Sequence, residues 1–76
     1  MSRGGELATI TVVTFGERVR EERRRRLMTQ DMLAATAGIS QKQLSKIEND
    51  EVDPRFSTIR KIAQALDVEP SDLTSD

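Results

Sequence analysis

The sequence predicts a small all-α domain of four or five helices behind a non-helical N-terminal arm. Three observations predict it. Apolar residues recur at helical spacing, as in Ile59, Ile62, Ala63 and Leu66 at i, i+3, i+4 and i+7. Helix-start signals precede the periodic runs: Thr14 with Glu17, Thr29, and Ser40 with Gln43. Two of the runs meet at Gly38, within a turn of three or four residues, which is the pattern of a helix-turn-helix. The 76 residues suffice for one small domain.

Residues 1–14 differ in kind from the rest. Ser2, Arg3, Gly4 and Gly5 read as a flexible lead, and Ala8 to Val13 alternate in a β-branched pattern that suits a strand. One strand has no partner within a helical chain. Two readings fit this arm: a disordered terminus, or a segment that pairs with a second subunit or another protein.

Helix 1 is expected from Thr14, its cap, to about Leu27. Its six arginines (Arg18, Arg20, Arg23, Arg24, Arg25 and Arg26) point nearly all round the helix, so they do not make one DNA-facing strip. Glu21–Arg25 and Glu22–Arg26 have the spacing of favourable i,i+4 pairs. Arg23 alone falls on the inward face, near Phe15 and Val19. A buried guanidinium requires a carboxylate, and Glu48, on the inward face of helix 3, is the natural candidate.

Thr29 caps helix 2, with Met28 and Leu33 at the positions of a hydrophobic staple. Gly38 closes that helix as a left-handed residue. Ser40 and Gln43 predict a capping box for helix 3, with Ile39 and Leu44 as its staple pair. Asn49 to Pro54 is a turn-rich loop. Its acids do not have the spacing of an EF-hand and it contains no Gly, so no metal site is expected. Helix 4 follows, starting at Ser57 or somewhat earlier, just after Pro54. Pro70 can occupy the first turn of a last short helix.

Composition narrows the function. The chain has no Cys and no His, which removes thiolate and imidazole metal ligands and the commonest acid–base group. No Gly-rich phosphate loop and no catalytic spacing of acids and bases occur, so an enzyme and a cofactor are not expected. No apolar run is as long as a membrane span, and no secretion signal is present, so the expected address is the cytoplasm, on the nucleoid. Net charge is −1, but residues 1–48 carry nine Lys/Arg against six Asp/Glu, and residues 49–76 three against seven. A basic half beside an acidic half is compatible with one DNA-facing side.

From Phe15 to Leu73 the chain resembles the lambda-repressor/Cro-type helix-turn-helix family, also called the xenobiotic-response-element family. The matching pieces are Phe15-Gly16-Glu17-Arg18-Val19-Arg20, Met28-Thr29-Gln30 with Leu33-Ala34, Ala37-Gly38-Ile39-Ser40, Leu44 to Asn49, Pro54-Arg55-Phe56, and Ile59 to Leu66. The resemblance implies a five-helix domain over residues 15–73, preceded by the arm (1–14) and followed by a short tail (74–76). It implies a sequence-specific regulator of transcription, read here as a repressor, with helix 3 in the major groove of a pseudo-palindromic DNA operator. By the same resemblance Gln41, Lys42, Ser45 and Lys46 read bases or nearby phosphates, and Gln30 and Arg55 bind the phosphate backbone. Arg23 and Glu48 match the family's buried ion pair. The chemistry suits DNA, since Gln can pair with adenine N6/N7 and Lys can donate to guanine O6/N7.

Four residues depart from the family's pattern: Glu22 stands at a core Leu position, and Leu27, Asp50 and Asp67 stand where glycines commonly close helices. A protein-interaction adaptor, or an antitoxin-like module on the same fold, is the competing function, favoured by the acidic C-terminal half and the arm. A homodimer is expected, its subunits meeting through the C-terminal region with the arm adding contacts. The core is thin, and Val68, Pro70 and Leu73 follow helix 4 with no further chain to cover them.

Overall fold

The computed structural model describes residues 13–74. Five helices follow one another: α1 (Phe15–Arg25), α2 (Gln30–Ala37), α3 (Gln41–Glu48), α4 (Phe56–Leu66) and α5 (Pro70–Thr74). The expected strand over Ala8 to Val13 lies outside the described residues except for Val13, which is exposed and in no regular element.

The helix starts follow the sequence signals closely. Thr14 caps α1, and the reciprocal box is complete, with Glu17 N–H donating to Thr14 Oγ1 at 3.1 Å and Thr14 N–H to Glu17 Oε1 at 3.4 Å. Thr29 caps α2 by accepting from Met32 N–H at 3.1 Å, and the Met32 sulfur accepts the return bond from Thr29 N–H. Ser40 caps α3 through Gln43 N–H at 3.0 Å, but the Gln43 side chain makes no return bond among the described residues, so only half of that box forms. Helix α4 starts earlier than a Ser57 cap would place it. Arg55 is its N-cap residue, extended at φ −70° and ψ 157°, and provides no side-chain cap.

Helix α1 ends at Arg25, two residues short of the expected Leu27. The reason is at Leu27 itself, which has φ 57°, in the left-handed region. Asp50 (φ 58°) and Asp67 (φ 60°) do the same after α3 and α4, so all three departures from glycine occupy left-handed positions. Gly38, at φ 76°, is the one described glycine at such a position. Asp50 offsets the cost with its side chain. Its carboxylate accepts from Thr14 Oγ1 at 2.6 Å and from Gly16 N–H at 3.2 Å, placing an anion at the N-terminus of α1. Leu27 is 88% exposed and gains nothing comparable. Leu27→Gly is therefore expected to raise stability by about 0.5–1 kcal/mol, the left-handed strain of an L-residue less the extra unfolded-state entropy of glycine. A higher urea midpoint at unchanged slope is the expected readout, and a lower midpoint would contradict it.

The core draws on every helix. Val19 of α1, Leu33, Ala34 and Ala37 of α2, and Leu44 and Ile47 of α3 are buried together with Ile62, Ala63 and Leu66 of α4 and Leu73 of α5. Both expected staple partners, Met28 and Ile39, pack against this cluster. Helix α2 lies against α3 and α4, while α1 contacts α3 and both C-terminal helices. The close approach of α1 to the end of α3 depends on Gly16. A Cβ there would run into the backbone carbonyl of Ile47 and lie 2.7 Å from that of Glu48. Glycine is disfavoured inside a helix, so its presence in the first turn of α1 reflects this backbone contact.

One expectation is overturned. Leu73 was expected to lie uncovered after α4, but it is 0% exposed, because α5 folds back onto α4 and α1. A dimer contact cannot use a side chain that the same chain has already buried. The pairing on the outer face of α1 also differs. Glu22, at the position of the family's core Leu, stays half-buried and takes both Arg26 (i,i+4) and Arg25 (i,i+3, 3.4 Å). No Glu21–Arg25 pair forms among the described residues.

Candidate nucleic-acid interface

Helix α3 turns Leu44, Ile47 and Glu48 inward. That orientation leaves Gln41, Lys42 and Lys46 exposed and Ser45 half-buried on its other side. Lys42 and Lys46 are one turn apart, and both line a shallow groove whose opposite wall is the loop residues Val52, Asp53 and Pro54, with Arg55 and Thr58 beyond. The groove thus holds three cations and one acid. None of Lys42, Lys46 and Arg55 forms an ion pair among the described residues. The α2–α3 connection is only Gly38, Ile39 and Ser40, because Gly38 reverses the chain at once and Ile39 N–H bonds back to Ala34 O at 3.0 Å.

Glu48 lies behind this surface, 1% exposed. Arg23 grips it with two bonds, Nε to Oε2 at 2.7 Å and Nη2 to Oε1 at 3.0 Å. The third arm of the guanidinium, Nη1, donates to Met28 O at 2.9 Å. This is the ion pair expected from the inward position of both residues. Arg23 thereby ties α1 to the last turn of α3 and to the residue that leads into α2.

Two further residues join Glu48. Arg20 Nη2 donates to Asn49 Oδ1 at 2.8 Å and to the Glu48 carbonyl at 3.3 Å, and its Nε lies 3.7 Å from Glu48 Oε1. Arg20 was not expected on the inward face, and the signal that could have placed it there is its i−3 spacing from the inward Arg23. Gln30 Nε2 donates to Glu48 Oε1 at 3.0 Å, and Gln30 Oε1 accepts from Gln41 Nε2 at 3.4 Å. Of the residues expected at the DNA surface, Gln30 and Gln41 are thus brought together, and Lys42, Lys46 and Arg55 share the neighbouring groove. Ser45 stands apart from both groups in its hydrogen bonding. Helix-turn-helix spacing, a buried ion pair behind the second helix and an exposed polar face on that helix together suggest one family. Its model, described as helix-turn-helix, matches residues 19–73.

The chain belongs to this helix-turn-helix family. The resemblance to lambda-repressor/Cro-type domains read from residues 15–73 therefore stands. By sequence the chain is 34% identical over 64 residues to the immunity repressor protein of Bacillus phage phi105, covering 84% of this chain and 44% of that protein. The chain spans less than half the length of the relatives it matches by sequence. Among solved structures, the restriction-modification controller protein C.AhdI of Aeromonas hydrophila superposes with a TM-score of 0.78 at 34% identity, covering 80% of this chain and 92% of that one. The P22 c2 repressor, in complex with a synthetic operator, superposes with a TM-score of 0.78 at 27% identity, covering 86% of this chain and all of that one. In this helix-turn-helix domain α2 and α3 are the motif, and α3 stands in the place of its second, exposed helix.

Proposed function

We propose that this domain is a sequence-specific DNA-binding repressor that places α3 in the major groove. The observation that carries the reading is the exposed face of α3, which bears Gln41, Lys42 and Lys46, with Arg55 sharing the groove that Lys42 and Lys46 line. The repressor names of its sequence relatives support it. Gln41, Lys42, Ser45 and Lys46 contact base edges, and Gln30 and Arg55 contact phosphates on either side. An operator read by two such helices requires half-sites about 34–36 Å apart, so the acting form is a homodimer on a pseudo-palindromic site. Its place is the cytoplasm, on the nucleoid, and the N-terminal arm is available to a protein partner. The domain acts by binding, without catalysis.

Selection of bound fragments from a randomised duplex pool supplies the operator. On that operator Lys42→Ala is expected to cost about 1–3 kcal/mol and to relax preference at one position. Arg55→Ala should weaken all sequences alike and flatten the dependence of log affinity on log salt. Unchanged affinity and preference in Lys42→Ala would remove α3 from the interface. Weak, sequence-blind binding by the parent would favour the protein-interaction adaptor instead.

A further inference from the structure

We propose that Met32 is a reversible oxidation site, where a peroxide converts the thioether to a sulfoxide that takes over and strengthens the cap of α2. The inference goes beyond the DNA-binding reading and does not depend on it. Oxidisable sulfur in this chain is confined to its three methionines, since it has no Cys. Met1 lies outside the described residues, which leaves Met28 and Met32. Met28 is half-buried and packs against the core. Met32, in the first turn of α2, is 49% exposed. Its sulfur is also a hydrogen-bonding group. It accepts from Thr29 N–H at 3.5 Å, closing the box that Thr29 Oγ1 opens by accepting from Met32 N–H at 3.1 Å. Glu or Gln ordinarily fills that position with a strong oxygen acceptor, whereas a thioether is a weak one.

The oxidation transfers one peroxide oxygen to Sδ. A sulfur lone pair forms the S–O bond as the O–O bond breaks, so the sulfur loses two electrons. The other peroxide oxygen leaves with the proton of the transferred one, as water or an alcohol. The new oxygen is a strong acceptor, one bond from the atom that already faces Thr29 N–H. The unbranched side chain has the torsional freedom to bring that oxygen onto the N–H. The cap then has an acceptor of the kind that Glu or Gln supplies. Because Met32 is exposed, the added oxygen displaces no core atom. At Met28 a polar sulfoxide would enter packing against the core. Reversal consumes two thiols, which become a disulfide while the oxygen leaves as water, the reaction of methionine sulfoxide reductases. Oxidation at Met32 therefore leaves the helix-turn-helix folded, and the exposed sulfoxide is open to repair.

The test treats the full chain with hydrogen peroxide. Trypsin releases Leu27 to Lys42 as one peptide carrying both methionines, and its fragmentation assigns the added oxygen. Met32 sulfoxide is expected to form ahead of Met28 sulfoxide. Equal rates, or Met28 first, overturn the site. Thermal unfolding is then read on Met28→Leu, a volume-conserving swap that leaves Met32 as the one described methionine. Its midpoint should rise by about 1–4 °C on oxidation, the effect of a fraction of one hydrogen bond on so small a domain. It should return to its starting value with methionine sulfoxide reductase and dithiothreitol. An unchanged or lower midpoint after oxidation overturns the proposed cap. On the same background Met32→Gln, with an amide oxygen already in place, should start at the higher midpoint and not respond to peroxide. Met32→Leu, with no acceptor, should start lower and not respond. A peroxide shift that persists in Met32→Leu belongs to another group and overturns the proposal.

Discussion

Glu48→Ala is expected to lose about 3–5 kcal/mol of folding stability, because the Arg23 guanidinium is left charged and enclosed with only the Met28 carbonyl to accept from it. Such a loss is a large share of the order of 5–15 kcal/mol available to a typical domain, and small domains lie at the low end. Several consequences of the geometry add to the charge penalty. Gln30 loses the acceptor for its Nε2, and Arg20 loses the carboxylate 3.7 Å from its Nε. The urea midpoint should fall steeply, and the variant should be partly unfolded without denaturant. Replacing both partners by apolar residues, Arg23→Met with Glu48→Leu, should recover much of the loss, since removing a buried pair altogether costs far less than orphaning one half of it. A Glu48→Ala midpoint equal to the parent's would mean that the pair is solvated in solution. A double variant as unstable as the single one would mean that the packing around it, and not the charge, is at issue.

Leu73→Ala is expected to cost about 2–5 kcal/mol, the range for truncating a fully buried leucine. Leu73 is the only core side chain supplied by α5, and α5 has five residues, too few to persist without that anchor. Its loss should release the C-terminal turn from α1 and α4 together. The midpoint should drop by the same amount at low and high protein concentration, because the contact lies within one chain. A concentration-dependent drop would instead place Leu73 at a subunit contact, as its sequence position had suggested. Leu73→Asp is consequently not a probe of assembly. A carboxylate at a site without exposure unfolds the domain before any interface is tested.

The sequence by itself determined the local structure of this protein. Thr14, Thr29 and Ser40 mark helix starts because a side-chain oxygen bonding the N–H of the third residue on is a matter of a few adjacent residues. Gly38 marks the turn for the same reason, since its left-handed φ is a property of one position. The periodicity of Ile59, Ile62, Ala63 and Leu66 identified the inward face of α4, and the inward placement of Arg23 and Glu48 identified their pairing. The exposed face of α3 follows from its apolar face, so Gln41, Lys42 and Lys46 were legible as surface residues.

Tertiary structure decided what depends on how helices approach one another. Leu73 and an uncovered leucine look alike in sequence, and only the return of α5 onto α1 and α4 buries the side chain. Asp50 reads as a misplaced glycine until the fold carries its carboxylate to the N-terminus of α1, 34 residues earlier in the chain. Gly16 lacks a side chain because the carbonyls of Ile47 and Glu48 pass over it, a contact without a local signature. Gln30 and Gln41, 11 residues apart, were separate candidates in the sequence. The turn at Gly38 sets their amides side by side, and Gln30 also donates to Glu48, which is buried by the core. Caps and turns are short-range and survive in a list of residues. Burial and hydrogen bonds between helices depend on distant segments meeting, and only the folded chain specifies them.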